Sequence, residues 1–113
     1  MDVISDVFKV YSRKAGFSVF ITSQYYFEGG REAVVIRGNC SHVLALENVV
    51  QPSYRITSNP DINKMFKEAT KYAYRKPHGY VLVNLNSGVS DKFRVCTNLF
   101  RENPDIPYPL FFT

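Results

Sequence analysis

The sequence predicts a small α+β domain, with a mostly antiparallel sheet of about five strands and two helices packed on it. Two pairs of β-rich segments with hairpin signals between them indicate the sheet, and one strongly marked helix indicates the other layer. At 113 residues, with 45% hydrophobic and 15% aromatic residues, the chain can bury a core without disulfides or metals. We expect a single domain over residues 1–103, followed by a Pro-rich, apolar and irregular or extended tail over residues 104–113.

The N-terminal part contains the first predicted helix and the first predicted hairpin. Residues 2–15 carry apolar side chains at helical spacing and end at Gly16, although a strand over part of this segment is the competing prediction. Residues 17–27 and 31–37 are rich in β-forming side chains. They flank the Gly-Gly pair at 29–30, which tolerates the positive φ angles of tight hairpin turns. An antiparallel pair of strands is therefore predicted here.

The middle and C-terminal segments supply the remaining predicted strands. The valines of residues 42–50 favour a strand over a short helix, and residues 54–58 are predicted to form a further short strand. The segments "GYVLVNLN" (79–86) and "DKFRVCTNLF" (91–100) flank "SGVS" and indicate a second hairpin. Residues 81–83 are apolar on both faces, which predicts a central position in the sheet.

The helix predicted over residues 59–76 has the clearest boundaries. Asn59 is a suitable N-cap, and Pro60 occupies the first helical position. Pro77 ends the helix, because proline disfavours helical backbone at the residue before it. The predicted apolar face consists of Ile62, Met65, Phe66, Ala69 and Ala73, with Tyr72 at its edge.

The opposite side of this helix is basic. At about 100° per residue, four basic side chains fall within an arc of about 80°: Lys64, Lys67, Lys71 and Arg75. Residues 64–80 contain five basic residues and one acidic residue, Glu68, so this segment accounts for the whole net charge of +4. Such a stripe suits a phosphate backbone, which attracts lysine and arginine through counterion release.

Further residues extend this candidate site. Lys76 and Arg55 add positive charge, and Tyr74 and Tyr80 are suited to stacking on a base. The competing interpretation is a solvated helix face, on which lysine is common. The shortage of acidic residues at i, i+4 spacing favours a functional surface. We therefore expect a small non-catalytic binding module that contacts an RNA or DNA backbone with weak sequence specificity.

The alternative prediction is a protein-interaction module. A small inhibitor or regulator would meet an acidic surface of a larger enzyme through the same helix, and the Trp-free, aromatic composition suggests a phage or viral accessory protein. A homodimer through edge strands is also compatible with the pattern. The tail either folds back over the sheet, which we favour, or supplies an interface through Tyr108, Leu110, Phe111 and Phe112.

Catalysis has weak support in the sequence. His42 and His78 are the only histidines, and two imidazoles with a nearby lysine could serve as general base and acid in metal-independent RNA cleavage. Cys40 and His42 form a thiol–imidazole pair in sequence, without the turn typical of a nucleophile. Metal-ligand spacing and nucleotide-binding glycine patterns are absent from the sequence. We expect no enzyme activity, no metal and no cofactor.

The lengths of the apolar runs and the spacing of the cysteines indicate the cellular compartment of the protein. No apolar run approaches the ~20 residues that span a bilayer, so we expect no membrane partner. Cys40 and Cys96 lie far apart in sequence and are expected to be reduced, mostly buried thiols. These features predict a cytoplasmic protein.

Overall fold

The computed structural model describes residues 18, 20, 40–47 and 56–113. The chain divides into two compact units, Met1–Cys40 and Ser41–Thr113. Every helix and strand given below belongs to the second unit. Its elements, in chain order, are β1 (His42–Leu46), α1 (Pro60–Ala73), β2 (Tyr80–Asn84), a 3-10 helix (Asp91–Phe93), β3 (Val95–Thr97) and β4 (Leu110–Phe112).

The four strands form one antiparallel sheet in the order β1-β2-β3-β4. The predicted strand over residues 42–50 is confirmed for its first part by β1, and the second hairpin is confirmed by the pairing of β2 with β3. Strand β2 has a neighbour on each side, as its two apolar faces predicted. The described part of the chain therefore belongs to the α+β class.

The strand register places two sets of side chains on opposite faces of the sheet. On one face Val83 pairs with Val95, which in turn pairs with Phe112. The Phe112 ring meets Tyr72 of α1 edge-on, with 5.8 Å between ring centroids, so this is the face that the helix covers. The opposite face carries Leu44, Leu82, Cys96 and Phe111.

The core of this unit lies between α1 and the covered face of the sheet. Val81, Val83 and Val95 are completely buried there, and burial of one such side chain contributes about 1.5–3 kcal/mol. The predicted apolar side of the helix is confirmed, except that Met65 is half-buried. Thr70 also belongs to the buried side of the helix, which the sequence did not predict, and its hydroxyl donates to the Lys67 carbonyl at 2.8 Å. The buried residues of α1 are Ile62, Phe66, Ala69, Thr70 and Ala73.

Two asparagines fix the start of α1. The Asn59 side chain accepts from Asp61 N at 2.9 Å, which is the N-cap expected from the sequence. The Asn63 side-chain oxygen accepts from Ile56 N and Thr57 N at 2.9 Å each, and its amide donates to Thr57 O at 2.9 Å. These bonds hold the chain that enters the helix, so that Ile56 is buried beside it.

A close backbone approach fixes the end of α1. The helix ends at Ala73, three residues before the predicted end, and the chain turns through His78 at φ 62°. Gly79 N donates to Lys76 O at 3.2 Å. A Cβ atom on Gly79 would lie 1.9 Å from Ala73 O, so only glycine lets β2 begin this close to the helix.

Three expectations about individual segments need correction. Of the strand predicted over 54–58, residues 56–58 are not a strand, because Asn63 binds the Ile56 and Thr57 backbone in the approach to α1; residues 54 and 55 lie outside the described residues. Strand β3 ends at Thr97, because Asn98 adopts φ 56° and takes the chain out of the sheet. Leu110–Phe112 form strand β4 rather than an irregular tail, since they pair with β3.

The count of about five strands and two helices is not reproduced in the residues that the structure describes, which contain four strands and one α-helix. The helix predicted over 2–15 lies outside those residues. The strands predicted over 17–27 and 31–37 lie outside them as well, apart from positions 18 and 20.

Arg94 organises the turn between β2 and β3. Its guanidinium donates to Asn84 O at 2.8 Å, Asn86 O at 3.0 Å and Val89 O at 2.7 Å. It also pairs with Asp91 at 3.1 Å, and only 11% of the Arg94 side chain is exposed, against 64% for Asp91. One side chain therefore binds three backbone carbonyls around this turn.

Strand β1 shows the alternation of a strand with one packed face. Val43 and Ala45 are half-buried, whereas Leu44 and Leu46 are 57% and 61% exposed. Within the described ranges, no helix has the length and apolar character needed to cross a membrane.

Candidate nucleic-acid interface

The side of α1 that faces away from the sheet carries the predicted basic residues. Lys64, Lys67 and Lys71 are exposed, while the opposite side of the helix is buried in the core. Arg75 and Lys76 follow the helix end and are exposed as well. These five side chains are called the basic face. Arg55, the remaining predicted basic contact, lies outside the described residues.

Few acidic groups lie along the basic face. Between residues 59 and 80 the only acids are Asp61, in the first turn, and Glu68. Glu68 forms an ion pair with Lys71 at 3.7 Å, and both side chains are more than half exposed, so the pair contributes little and is screened by salt. The Arg75 guanidinium lies 5.7 Å from the centroid of the Tyr72 ring, a cation–π contact that orients it.

The two predicted base-stacking tyrosines are differently placed. Tyr74 is half-buried at the C-cap of α1, beside the basic face. Tyr80 neighbours the buried Val81 in β2 and pairs with Leu46, so it points to the sheet face opposite α1. The structure therefore separates Tyr80 from the basic face.

The hydroxyl of Tyr80 holds a loop instead. It donates a short hydrogen bond to Glu102 and accepts one from Leu99 N at 2.8 Å. Burial raises the pKa of Tyr80, and the hydrogen bond to Glu102 raises it further. The same hydrogen bond lowers the pKa of Glu102. The pair therefore stays as a neutral phenol that donates to a charged carboxylate.

Residues 98–109, which connect β3 to β4, form a loop fixed by its own hydrogen bonds and called the aromatic loop. Asn98 is 5% exposed. Its side-chain amide donates to Asn103 O at 3.0 Å and to Pro107 O at 2.9 Å, and its oxygen accepts from Asn103 N at 2.9 Å. Asn98 also has a positive φ, which asparagine adopts more readily than most residues. The loop is therefore held from within.

The tip of the aromatic loop presents two rings and a guanidinium. Phe100 is 83% exposed, although its backbone N–H donates to Glu102 at 3.2 Å. The Arg101 guanidinium lies 5.2 Å from the centroid of the Tyr108 ring, which is 54% exposed. Sequence reasoning did not identify Phe100 or Arg101. The available signal was an aromatic and a basic residue between two asparagines, directly before three prolines.

The aromatic loop lies at the same end of the sheet as the end of α1. Thr97, the last residue of β3, donates from its hydroxyl to Tyr80 O at 2.6 Å. Tyr80 directly follows Gly79, whose N–H bonds to Lys76 O. The Thr97 hydroxyl and the Gly79 N–H therefore connect the cationic turn after the helix to the strand end from which the loop starts.

The two histidines lie toward opposite ends of β2. His42 pairs with Asn84, the last residue of the strand, whereas His78 comes two residues before its start. The strand alone spans about 13 Å between these ends at ~3.3 Å per residue. The structure therefore places His42 and His78 at opposite ends of β2 and does not bring them together at one site.

Most of the predicted interface tail is part of the sheet. Leu110, Phe111 and Phe112 pair with β3, and the Phe111 ring packs edge-on against Phe93 with 5.3 Å between centroids. Tyr108 alone among the four is more than half exposed. The apolar C-terminal residues thus fold back, which was the favoured alternative.

The described residues offer no metal site, since no three His, Cys, Asp or Glu side chains among them are grouped to hold an ion. Cys96 is buried, and burial raises the pKa of its thiol.

Comparison of the chain with protein-family models, with curated proteins and with solved structures finds no match. The basic face and the aromatic loop are the features on which the proposals below depend.

Proposed function

We propose that this chain is a small non-catalytic module that binds the phosphate backbone of nucleic acid through the basic face. The observation that carries the proposal is the segregation of charge on α1: three exposed lysines on one side of the helix, extended by Arg75 and Lys76, with Glu68 as the one acid of the helix beyond its first turn. Lysine and arginine that replace condensed counterions gain affinity without reading sequence.

The helix is a rigid support for these charges. Its opposite side is buried, Asn59 caps its start, and Gly79 packs against its end. Lys64 and Lys71 are seven residues apart, which is about 10 Å along the helix axis. Such a spacing lets neighbouring lysines meet successive phosphates without a change in the backbone.

The number of cations that contact phosphates sets the expected salt dependence of binding. If between three and five cations contact phosphates of a single strand, the slope of log K against log salt is about −2 to −3.5. Affinity would then fall by about 20- to 100-fold between 50 and 200 mM salt. A surface that binds through apolar contacts would show almost no such dependence.

The test is a binding titration by fluorescence anisotropy with labelled RNA and DNA, single- and double-stranded, over a salt series. The informative variant is Lys64→Glu/Lys67→Glu, which reverses two charges of the basic face. Lys92→Glu is the control outside α1, because Lys92 is also exposed but lies in the 3-10 helix. It reverses one charge where the variant reverses two, so binding that follows net charge alone would show half the loss in binding free energy. Loss of affinity in the first variant alone supports the proposal, and equal affinity in all three proteins contradicts it.

The same titrations separate nucleic acid from an acidic protein surface, the alternative partner for these charges. Polyglutamate presents carboxylates at high density without phosphates or bases. The proposal expects the oligonucleotide complex to resist polyglutamate at equal charge concentration. Complete displacement by polyglutamate would favour the acidic protein surface.

A further inference from the structure

We propose that the aromatic loop stacks on unpaired bases through Phe100, so that the module prefers single-stranded nucleic acid to duplex. The inference rests on the proposed function and adds the class of nucleic acid that this surface takes. It depends on three observations: the position of the loop, its internal hydrogen bonds and the exposure of its rings.

The start of the loop and the turn after α1 lie at the same end of the sheet, although Tyr80 holds Leu99 and Glu102 on the face opposite α1. A bound strand must therefore pass around this end of the sheet to reach Phe100. The loop starts beside Tyr80, and Tyr80 follows the turn that contains Arg75 and Lys76. A strand whose phosphates follow the basic face toward the C-terminal end of α1 is therefore led to the end of the sheet where the aromatic loop lies. Single strands are bound in this way elsewhere, by cationic grooves that contain aromatic side chains.

The internal hydrogen bonds lower the entropy cost of binding. Asn98 ties the two sides of the loop together through Asn103 and Pro107, and Tyr80 holds Leu99 and Glu102. The backbone on both sides of Phe100 is therefore already ordered before a ligand arrives. A contact made by an ordered loop does not have to offset the ordering of that loop.

The exposed rings have the chemistry of a stacking surface. Phe100 is 83% exposed, which is costly for an apolar ring unless a ligand covers it. Arg101 already lies over Tyr108, and a guanidinium plane on an aromatic ring is a surface on which a further base can stack. In a duplex the bases are stacked on one another and their faces are not available to Phe100.

The charge that attracts a nucleic acid lies on the basic face, at the same end of the sheet as the start of this loop. Arg75, Lys76 and Arg101 are basic and exposed. Of the two carboxylates in the loop, Glu102 is engaged by Tyr80 and by the Phe100 N–H. Within the loop Arg101 is the one basic residue against two acidic residues, Glu102 and Asp105, so the attraction for phosphate comes from the basic face and not from the loop.

The experiment compares two labelled oligomers of about 16 nucleotides, close to the largest site of a small single-strand-binding fold. One is oligodeoxythymidine and the other is an abasic strand with the same phosphates and no bases. Wild-type protein should bind the thymidine strand more tightly. Phe100→Ala should lose about 5- to 150-fold on the thymidine strand, the worth of one stacked base, and should bind the abasic strand unchanged.

A spectroscopic readout tests the same contact directly. The chain contains no tryptophan, so Phe100→Trp introduces a single indole at the exposed tip of the loop. Its fluorescence should be quenched by the thymidine strand and not by the abasic strand. Phe100→Leu keeps an apolar side chain without a ring, and it should behave as Phe100→Ala does.

The outcomes distinguish this inference from the function on which it rests. If Phe100→Ala binds the thymidine strand as tightly as wild type, while Lys64→Glu/Lys67→Glu does not, the basic face stands and the stacking inference is overturned. The exposed ring would then be assigned to a protein contact. If wild-type protein binds neither oligomer at low salt, both proposals are overturned.

Discussion

Tyr80 and Glu102 join the start of β2 to the aromatic loop. The Tyr80 hydroxyl donates to one carboxylate oxygen of Glu102, and the other oxygen accepts from Phe100 N at 3.2 Å. The carboxylate therefore links the Tyr80 side chain of β2 to the backbone of the aromatic loop at Phe100, whose ring is exposed. Because the pair depends on the charge of Glu102, the order of the loop is linked to pH.

Acidification should release the aromatic loop. The unfolded chain has an ordinary glutamate pKa of 4.5, and the Tyr80 hydrogen bond lowers the pKa of Glu102 in the folded chain. The stabilisation is therefore complete above pH 4.5 and is lost as the pH falls through the lower, folded pKa, because the unfolded chain takes up the proton first. The amide shifts of Leu99 and Phe100, followed by NMR, should titrate with a midpoint below 4.5.

The control for this titration is Tyr80→Phe, which keeps the ring and removes the hydroxyl. Its midpoint for Glu102 should move up toward the ordinary value. An unchanged midpoint in Tyr80→Phe would show that the hydroxyl does not stabilise the carboxylate.

Substitution of Gly79 should destabilise the second unit. In Gly79→Ala the new Cβ would lie 1.9 Å from Ala73 O, and the contact is with backbone that cannot rotate away. We expect a loss of about 2–3 kcal/mol in the free energy of unfolding, measured by chemical denaturation. Gly88→Ala is the matched control, because nothing lies within 4 Å of its Cβ position, and it should stay within about 0.5 kcal/mol of wild type. Similar losses in both variants would contradict the account of the helix end.

Arg94 should not be replaceable by lysine. The guanidinium binds three carbonyls in fixed directions, and one ammonium cannot reach all of them. Arg94→Lys should lose about 2 kcal/mol of stability although the charge is kept. Asp91→Asn removes only the exposed ion pair and should cost less than about 1 kcal/mol. If the two variants were equally destabilised, the ion pair and not the carbonyl contacts would hold the turn.

Removal of Glu68 should strengthen nucleic-acid binding. Within α1, Glu68 is the one acid beyond the first turn, and it pairs with Lys71, so Glu68→Lys both releases Lys71 and adds a cation. Affinity should rise at low salt, and the salt slope should steepen by up to about one unit. Asp91→Lys makes the same charge change in the 3-10 helix and should have the smaller effect. Equal gains would mean that binding follows net charge and not the basic face.

The helix and the central strand could be predicted because their signals are local. Asn59 and Pro60 mark the start of α1 within two residues, and the apolar side follows helical spacing. The apolar run at residues 81–83 indicates a strand with neighbours on both sides, as β2 has. The lysines of the basic face follow from the same periodicity, since a helix with one buried side exposes the other.

The aromatic loop could not be predicted in the same way because its contacts are between residues distant in sequence. Asn98 bonds to Pro107, and Tyr80 bonds to Glu102 and Leu99. Tyr80 adjoins the basic residues in sequence, but a strand that is apolar on both faces does not reveal which of its faces the helix covers. The role of Arg94 could not be predicted for a related reason. Its partners are backbone carbonyls, and because every residue has one, the sequence does not show which of them the side chain binds.

The most direct test of the central claim is the salt dependence of binding to a single-stranded oligonucleotide. The account predicts binding at low salt with a slope of about −2 to −3.5, reduced toward zero by Lys64→Glu/Lys67→Glu and unchanged by Lys92→Glu. A flat salt dependence, or a slope that the basic-face variant does not alter, would contradict it.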